Sequence, residues 1–498
     1  MKKIILILIL SCNSLLFSKA YFTFNGTYSH FLALRSSNNE ILNIPFRLFN
    51  LDSKMIIDDF EIYSNFSLEF KKEYDDYFHT KNIEFENREL YATYFFNQGE
   101  ISFGKKMFSL GSVDENSPID HFNPYNYYYL LTGGKDKKIG VHCFSFDLYF
   151  EDIRITAAIS PFHNLNHYPK DDPEYQLSLP INPSKYDIID IRGSKHESLF
   201  SIQKSLNNSE ITLSYLRAYD RVFSLSGFAI FESTIFDSSG SNGPDLIDIK
   251  YSYRLTEAIN LGTIFLFNDF TIRTDLAYFH SFDRNNKNDY LNLTSSIDAQ
   301  LYDIDPNYNP NTPFYGVFYD NGDLNDDGIN DIYALPLRED VYFSQFTLQF
   351  EMPLPKDFQL NIQYFLHRLH NYSVVNYNLT TINLPMAEVS TGTFFVPGFG
   401  SSMSTLTSES ILLSLEKQLL ENNLKCSITS FLDLDKGDGK LYSLEIEYDI
   451  LDNLDFTFGI TKVIGDDSVI PQGSYDMGYT FNLMEDFSHK RIQLNYHF

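Results

Sequence analysis

Hydrophobic and polar residues alternate along this chain with a period of two. Phe22, Phe24, Gly26, Tyr28, His30, Leu32 and Leu34 hold one register, and Thr23, Asn25, Thr27 and Ser29 hold the other. Phe60, Ile62, Phe66, Leu68 and Phe70 alternate in the same way with Glu61, Tyr63, Asn65, Ser67 and Glu69. Such runs predict strands of about ten residues with one apolar and one polar face. Residues 492–498 repeat the pattern and end on Phe498. A soluble sheet protein rarely ends on an aromatic residue in such a strand. A membrane barrel often does, because its last strand pairs with its first at the aromatic belt.

The connections are of two kinds. Short ones carry turn residues: Asn97-Gln98-Gly99-Glu100, Pro353-Leu354-Pro355-Lys356-Asp357, Glu421-Asn422-Asn423 and Asp452-Asn453 each separate two alternating runs. Long polar stretches fall near 109–136, 161–195, 220–244, 283–339, 369–408 and 464–488. In a compact soluble domain so many long loops would argue against the strands. Short turns on one side and long loops on the other are expected of an outer-membrane barrel. The pattern predicts an all-β fold: a single transmembrane antiparallel barrel of about 18 strands (range 16–20), with periplasmic turns and extracellular loops. The count is 18 if 222–254 is an external loop. It is 20 if 222–230 and 247–253 both span, and Ile247, Ile249, Tyr251 and Tyr253 alternate well enough to allow it. Residues 475–483 also alternate, but parity assigns them to the last external hairpin. No repeat or second domain is evident.

The N-terminus fits an exported chain. Lys2 and Lys3 precede an apolar run over 4–10, and Ser18 and Ala20 form a small-x-small cleavage site. Residues 1–20 are expected to be removed as a signal peptide, leaving 21–498 as the barrel. The apolar run is far shorter than the roughly 20 residues of a helical span. A lipoprotein reading through Cys12 would need a very short signal. No later stretch is apolar enough for a transmembrane helix.

Composition sharpens this picture. Tyr (35) and Phe (46) are abundant and Trp is absent, so Tyr and Phe must form the interface girdles. The net charge of −28 becomes −31 once the leader's Lys2, Lys3 and Lys19 are removed. That balance excludes nucleic-acid partners. It suits acidic external loops that bind divalent cations, a lumen that attracts cations, or simple solvation. Cys143 and Cys426 lie on apolar registers and make no disulfide framework.

The sharpest local motif is Asp323-Leu324-Asn325-Asp326-Asp327-Gly328-Ile329-Asn330-Asp331. Asp323, Asn325, Asp327 and Asp331, with the Ile329 carbonyl and a turn-permitting Gly328, match calcium-loop spacing. Position 12 is Ala334 instead of a bidentate glutamate, so a Ca2+ ion in an external loop is expected only as an alternative to a solvated acidic loop. No other cofactor is called for. His163 and His167 lie four apart in a predicted loop with no obvious third ligand. No nucleophile elbow, phosphate loop, CxxC or HExxH is present, so an enzyme reading has no positive support.

Polar registers also supply candidate lumen residues. Lys71, Arg154, Arg217, Lys250, Arg254 and Arg273 fall there, as do Glu61, Glu69, Glu89, Asp248 and Asp275. Opposed basic and acidic arcs would sort solutes by charge, or the groups simply wet the interior.

One segment resembles a known family. Arg88-Glu89-Leu90-Tyr91-Ala92-Thr93-Tyr94 precedes Ile101-Ser102-Phe103-Gly104-Lys105-Lys106. Leu110-Gly111-Ser112-Val113-Asp114, Asp120 and Asn123-Pro124-Tyr125-Asn126-Tyr127 follow, then Ser160-Pro161-Phe162 and Pro169. This resembles a family of largely uncharacterised bacterial outer-membrane proteins and, more loosely, the alginate-export porins. The match covers about 88–170, and Leu110 stands where that family has Trp. The resemblance implies a monomeric barrel whose Asn123-Pro124 loop, with Asp114, Asp120 and Tyr125, folds inward or caps the pore. It supplies no substrate, and bracing of the wall is an equal reading of this loop.

The expected function is passive or substrate-selective passage of small solutes across a bacterial outer membrane. The expected partners are outer-membrane lipid, small solutes, and the barrel-assembly machinery through the strand ending at Phe498. Two alternatives stay open: a surface adhesion barrel with calcium-stiffened loops, and export of a polymer or hydrophobic compound.

Overall fold

The computed structural model describes residues 20–70, 83–129, 134–168, 188, 196–231, 246–283, 332–336, 339–374, 381–384, 387–390, 395–469 and 478–498. The expected leader, Lys71 and the calcium-loop residues Asp323, Asn325, Asp327, Ile329 and Asp331 lie outside these.

The strands follow the alternation. They are β1 (Tyr21–Arg35), β2 (Phe46–Ile57), β3 (Phe60–Phe70), β4 (Ile83–Phe96), β5 (Gly99–Lys106), β6 (Val141–Phe150), β7 (Ile153–Ser160), β8 (Glu197–Leu206) and β9 (Ser209–Tyr219). Then come β10 (Ser224–Phe231), β11 (Leu246–Ser252), β12 (Leu255–Leu266), β13 (Thr271–Phe282), β14 (Ile332–Pro336), β15 (Glu339–Leu354) and β16 (Phe358–Val374). The last are β17 (Thr381–Leu384), β18 (Ala387–Ser390), β19 (Glu409–Leu419), β20 (Leu424–Asp433), β21 (Lys440–Leu451), β22 (Leu454–Ile464) and β23 (His489–His497).

Eighteen of these strands form one antiparallel sheet, and β1 pairs with both β2 and β23. The sheet is therefore closed. In hydrocarbon every strand edge must be hydrogen-bonded, and closure achieves this without a cap. Phe498 completes the seam: its N–H donates to the Gly26 carbonyl at 3.0 Å and its carbonyl accepts from the Gly26 N–H at 2.9 Å. The exterior is apolar, with Phe22, Phe24, Phe144, Leu213, Ile259 and Leu276 all exposed. A closed wall with this exterior is an outer-membrane β-barrel, and the bacterial outer membrane is its location.

The ambiguity over 222–254 resolves to the lower count. β10 pairs with β11 and β14 in a separate three-stranded sheet, and neither joins the wall. β12 instead pairs directly with β9. Residues 480–483, in the last long connection, form a short helix instead of a strand.

One glycine in the wall is required by geometry. Gly104 has φ +136°, and a Cβ there would sit 2.3 Å from the Leu90 carbonyl oxygen and 2.7 Å from the Tyr91 Cα. Both are backbone atoms that cannot turn aside. Gly104→Ala is expected to destabilise the β4–β5 hairpin by about 1–3 kcal/mol. The check is a fall in the temperature at which the folded barrel loses its fast gel mobility. An unchanged midpoint would mean that the hairpin relaxes freely.

Candidate functional site

The described residues of the connection between β5 and β6, 107–129 and 134–140, fold into the barrel. Its own side chains shape it. The Phe108 N–H donates to Asn123 Oδ1 at 2.7 Å, the Leu110 N–H to Asp120 Oδ1 at 3.2 Å, and Lys138 pairs with Asp120. Tyr125 donates its hydroxyl to the Asp120 carbonyl at 2.6 Å. Asp120, Asn123 and Tyr125 therefore brace the loop internally, and Pro124 accepts from the Ile139 N–H through its carbonyl at 2.8 Å.

The loop is also tied to the wall about a quarter turn further round the barrel, through β7, β8, β9, β12 and β13. Asp275, in β13, accepts from the Ser112 N–H at 3.0 Å, the Val113 N–H at 3.1 Å and the Ser117 hydroxyl at 2.6 Å. Gln349 accepts from the Asp114 N–H at 2.9 Å, and Thr347 donates to the Asn116 carbonyl at 2.8 Å. Gly262 makes this approach possible, because a Cβ there would meet Ser112 and Ile119 of the loop and Asp275. Around these bonds Phe108, Ile119 and Phe122 pack on inward-facing Ala158, Leu216, Ala258, Ala277 and Phe279.

Two buried arginines clamp the same side. Arg221 donates to Glu197 at 2.6 Å, to the Asn164 carbonyl at 2.6 Å and to the Phe122 carbonyl at 2.8 Å. Arg254, 1% exposed, bridges Asp220 at 2.8 Å and Glu339 at 3.2 Å. It also donates to the Val396 carbonyl at 2.7 Å, pinning the connection between β16 and β19. Removing one partner of such a buried network leaves an uncompensated charge and costs several kcal/mol.

His121 sits within this packing. Its Nε2 has no partner among the described residues, and its ring lies against Phe279 and Phe399. Burial, chiefly, pushes its imidazole down to about 4 from an ordinary 6.5; nearby Arg221 acts in the same direction, and the Pro118 carbonyl and Asp120 oppose it. An undocked loop would take this proton near 6.5, a docked loop only near 4. Docking is thus strongest above the ordinary value and weakens as pH falls towards 4, by about 3 kcal/mol for this group. Faster proteolysis of the loop is expected at pH 4–5 than at pH 7. His121→Phe should lack that component, and identical acid profiles for the two would dismiss it.

The other half of the barrel stays open. A cavity of about 650 Å³ runs along β19–β23, β1 and β2. Ser427, Thr429, Ser443, Thr457, Thr461, Gln493 and Asn495 give it a polar wall, and Glu115 and Asn116 of the inward loop face it. Its charged lining comprises Glu115, Asp136, Glu445, Glu447, Arg47 and Arg491. Arg491 pairs with Glu445, and Arg47 with Asp136 at 2.8 Å and Glu69 at 3.3 Å. Glu115 and Glu447 have no ion-pair partner among the described residues. Nearby, Asp455 pairs with His497 at 2.6 Å and accepts from the Asn495 amide at 2.7 Å.

The sequence-predicted residues scatter around this arrangement. Glu61 faces Lys54 at 2.5 Å, Glu69 faces Arg47, and Arg154 holds Asp147 at 2.8 Å. Glu89 accepts from the Met107 N–H at 2.7 Å, anchoring the start of the loop. Arg273 pairs with Glu351 at 2.9 Å and Asp114 at 3.0 Å. Asp275 points inward but meets the loop, not water. Two placements differ from the sequence reading. Arg217 belongs to the outer register with exposed Leu213 and Tyr215, where it pairs with Glu257 at 3.2 Å; its inward neighbours are buried Leu216 and Ala218. Lys250 and Asp248 lie in β11, outside the wall. Cys143 serves as a small apolar side chain, buried inward among the loop contacts.

One cause explains the displaced wall residues. Beneath the loop the inward register carries apolar Leu216, Ala218, Ala258, Ala277 and Phe279 beside the docking groups Asp275, Thr347 and Gln349, and Arg217 and Glu257 take the outward register. The usual rule, polar side inward, inverts at Leu216 to Ala218. Glu445, Glu447 and Arg491 were missed for another reason: nothing local says which polar positions border open water. His163 donates from Nε2 to the Asp220 carbonyl at 2.9 Å and meets the Tyr253 ring edge-on. Among the described residues no group of three His, Cys, Asp or Glu is placed to hold a metal ion.

No protein-family model matches the chain, and no curated protein matches it. Solved structures do resemble it. A BenF-like porin from Pseudomonas fluorescens Pf-5 shares 8% identity with TM-score 0.47, covering 96% of this chain and 98% of that one. Pseudomonas aeruginosa OccK8 (OprE) shares 10% identity with TM-score 0.45, covering 96% and 97%. OmpT, an outer membrane protein of Vibrio cholerae, shares 9% identity with TM-score 0.37, covering 97% and 100%. At these values the likeness carries no argument about solute or mechanism, and the fold rests on the strand pairing itself.

Proposed function

We propose that this barrel is an outer-membrane channel for small hydrophilic solutes, with a preference for cations. The observation that carries the reading is the 650 Å³ polar cavity beside the inward loop, whose lining holds four carboxylates (Glu115, Asp136, Glu445, Glu447) against two guanidinium groups (Arg47, Arg491). Selectivity of this kind needs no cofactor. Fixed charges set which ions enter, and polar walls replace part of the hydration shell weakly enough for release. The inward loop narrows the passage from one side, so the conducting path follows β19–β23, β1 and β2.

Planar-bilayer recording of the refolded protein tests this. Discrete single-channel currents are expected, with a reversal potential on the cation-selective side in a potassium chloride gradient. Absence of current from correctly folded barrel would reject the channel and leave a plugged wall.

A further inference from the structure

We propose that the cavity enclosed by the inward loop binds a small zwitterion of amino-acid size, its carboxylate on Lys137 and Ser402 and its ammonium towards Glu115. This rests on the channel reading, because the solute arrives from the lumen. The cavity has a volume of about 240 Å³. Glu115 and Asn116 line both it and the larger lumen cavity, so the two adjoin at the loop tip.

Three cations line the small cavity, and two are engaged. Lys138 is held by Asp120, the Phe108 carbonyl and Ser109. Arg273 is held by Asp114 and Glu351. Lys137 is 6% exposed; its carbonyl accepts from the Asn126 N–H at 2.7 Å, while its ammonium has neither ion pair nor hydrogen bond among the described residues. Its Nζ lies 5.7 Å from the centre of the Tyr125 ring, itself part of the lining. Ser402 is 2% exposed, and its hydroxyl has no partner among the described residues. A buried hydroxyl without a partner and an ammonium free of ion pairs, both lining one cavity, form the donor half of a carboxylate site.

The acids decide between an anion and a zwitterion. Asp114, Glu115 and Asp120 line the same cavity and balance Lys137, Lys138 and Arg273. A simple anion would meet Lys137 but be opposed by three carboxylates. A solute that is neutral overall, with separated charges, satisfies Lys137 and Glu115 together. Burial lowers the Lys137 ammonium below its ordinary range, and Glu115 opposes that shift. A bound carboxylate would favour the charged form further.

Titration calorimetry on the full barrel in detergent tests the site without requiring conduction, with L-alanine, acetate and ethylammonium as probes. Saturable alanine binding is expected, stronger than that of either single-charge probe. Lys137→Gln and Ser402→Ala should each weaken alanine by about tenfold, and Lys137→Arg should recover most of it. Glu115→Gln should weaken alanine and, by removing one opposing carboxylate, strengthen acetate. Heat-dependent gel mobility confirms folding, and Ser402→Ala keeps the test open if Lys137→Gln does not fold. No saturable alanine heat, acetate binding as tightly as alanine, or a folded Lys137→Gln that equals wild type would overturn the site. Alanine binding without single-channel current would remove the channel reading and retain the site; current without binding would do the reverse.

Discussion

Asp275→Ala is expected to loosen the inward loop and raise both single-channel conductance and open-channel noise. The carboxylate is completely buried and satisfies three donors from the loop: the Ser112 and Val113 N–H groups and the Ser117 hydroxyl. Alanine leaves all three without an acceptor. Each orphaned buried donor costs about 1–3 kcal/mol, so the loop–wall contact should weaken by several kcal/mol. The loop would not leave the barrel, because Phe108, Ile119 and Phe122 still pack on the wall and Glu89 still holds Met107. The segment around Ser112 to Ser117 would move instead, and Glu115 with it. Asp275→Asn keeps one acceptor oxygen and should show a smaller effect. Limited proteolysis within 109–120 gives an independent reading. Wild-type current and protease resistance together in Asp275→Ala would mean that apolar packing alone holds the loop.

Glu447→Lys is expected to abolish the cation preference or invert it. Glu447 faces the open cavity without an ion-pair partner, close to Glu445 and Asp455. Reversal changes the local sum by two charges where the lining carries only a small acidic excess. The reversal potential in a salt gradient should move to zero or beyond. Screening gives a second check: the Debye length falls from about 10 Å at 0.1 M to about 3 Å at 1 M, so the difference between variant and wild type should shrink at high salt. Glu445→Gln should act in the same direction, because it frees the positive charge of Arg491. Unchanged selectivity in folded Glu447→Lys would place the controlling charges elsewhere in the lumen.

The inward loop shows how far local pattern reaches. Its capacity to hold its own shape is written in side chains that bond within it, Asp120 to Leu110 and Asn123 to Phe108. Its docking on Asp275, more than 150 residues away in sequence, has no local signature beyond one acid on a polar register. Arg217 shows the opposite error. It follows the alternation of β9 faithfully, but the face it shares is the outer one, because Leu216 and Ala218 are needed inside against the loop. The strands of the separate sheet, β10 and β11, alternate as well as any wall strand. Only the direct pairing of β9 with β12 excludes them.

Period-two alternation, the turn residues and the aromatic end determined the strands, the membrane-facing exterior and the count near 18 without any coordinates. These follow from one local requirement: a strand between lipid and water must show a different face to each. Which polar positions border open water, which lie beneath a loop, and where Lys137 meets Ser402 were decided only by the tertiary structure. Such relations join residues from distant strands, and their positions around the cylinder depend on its stagger and on what fills it, quantities that no short stretch of sequence encodes.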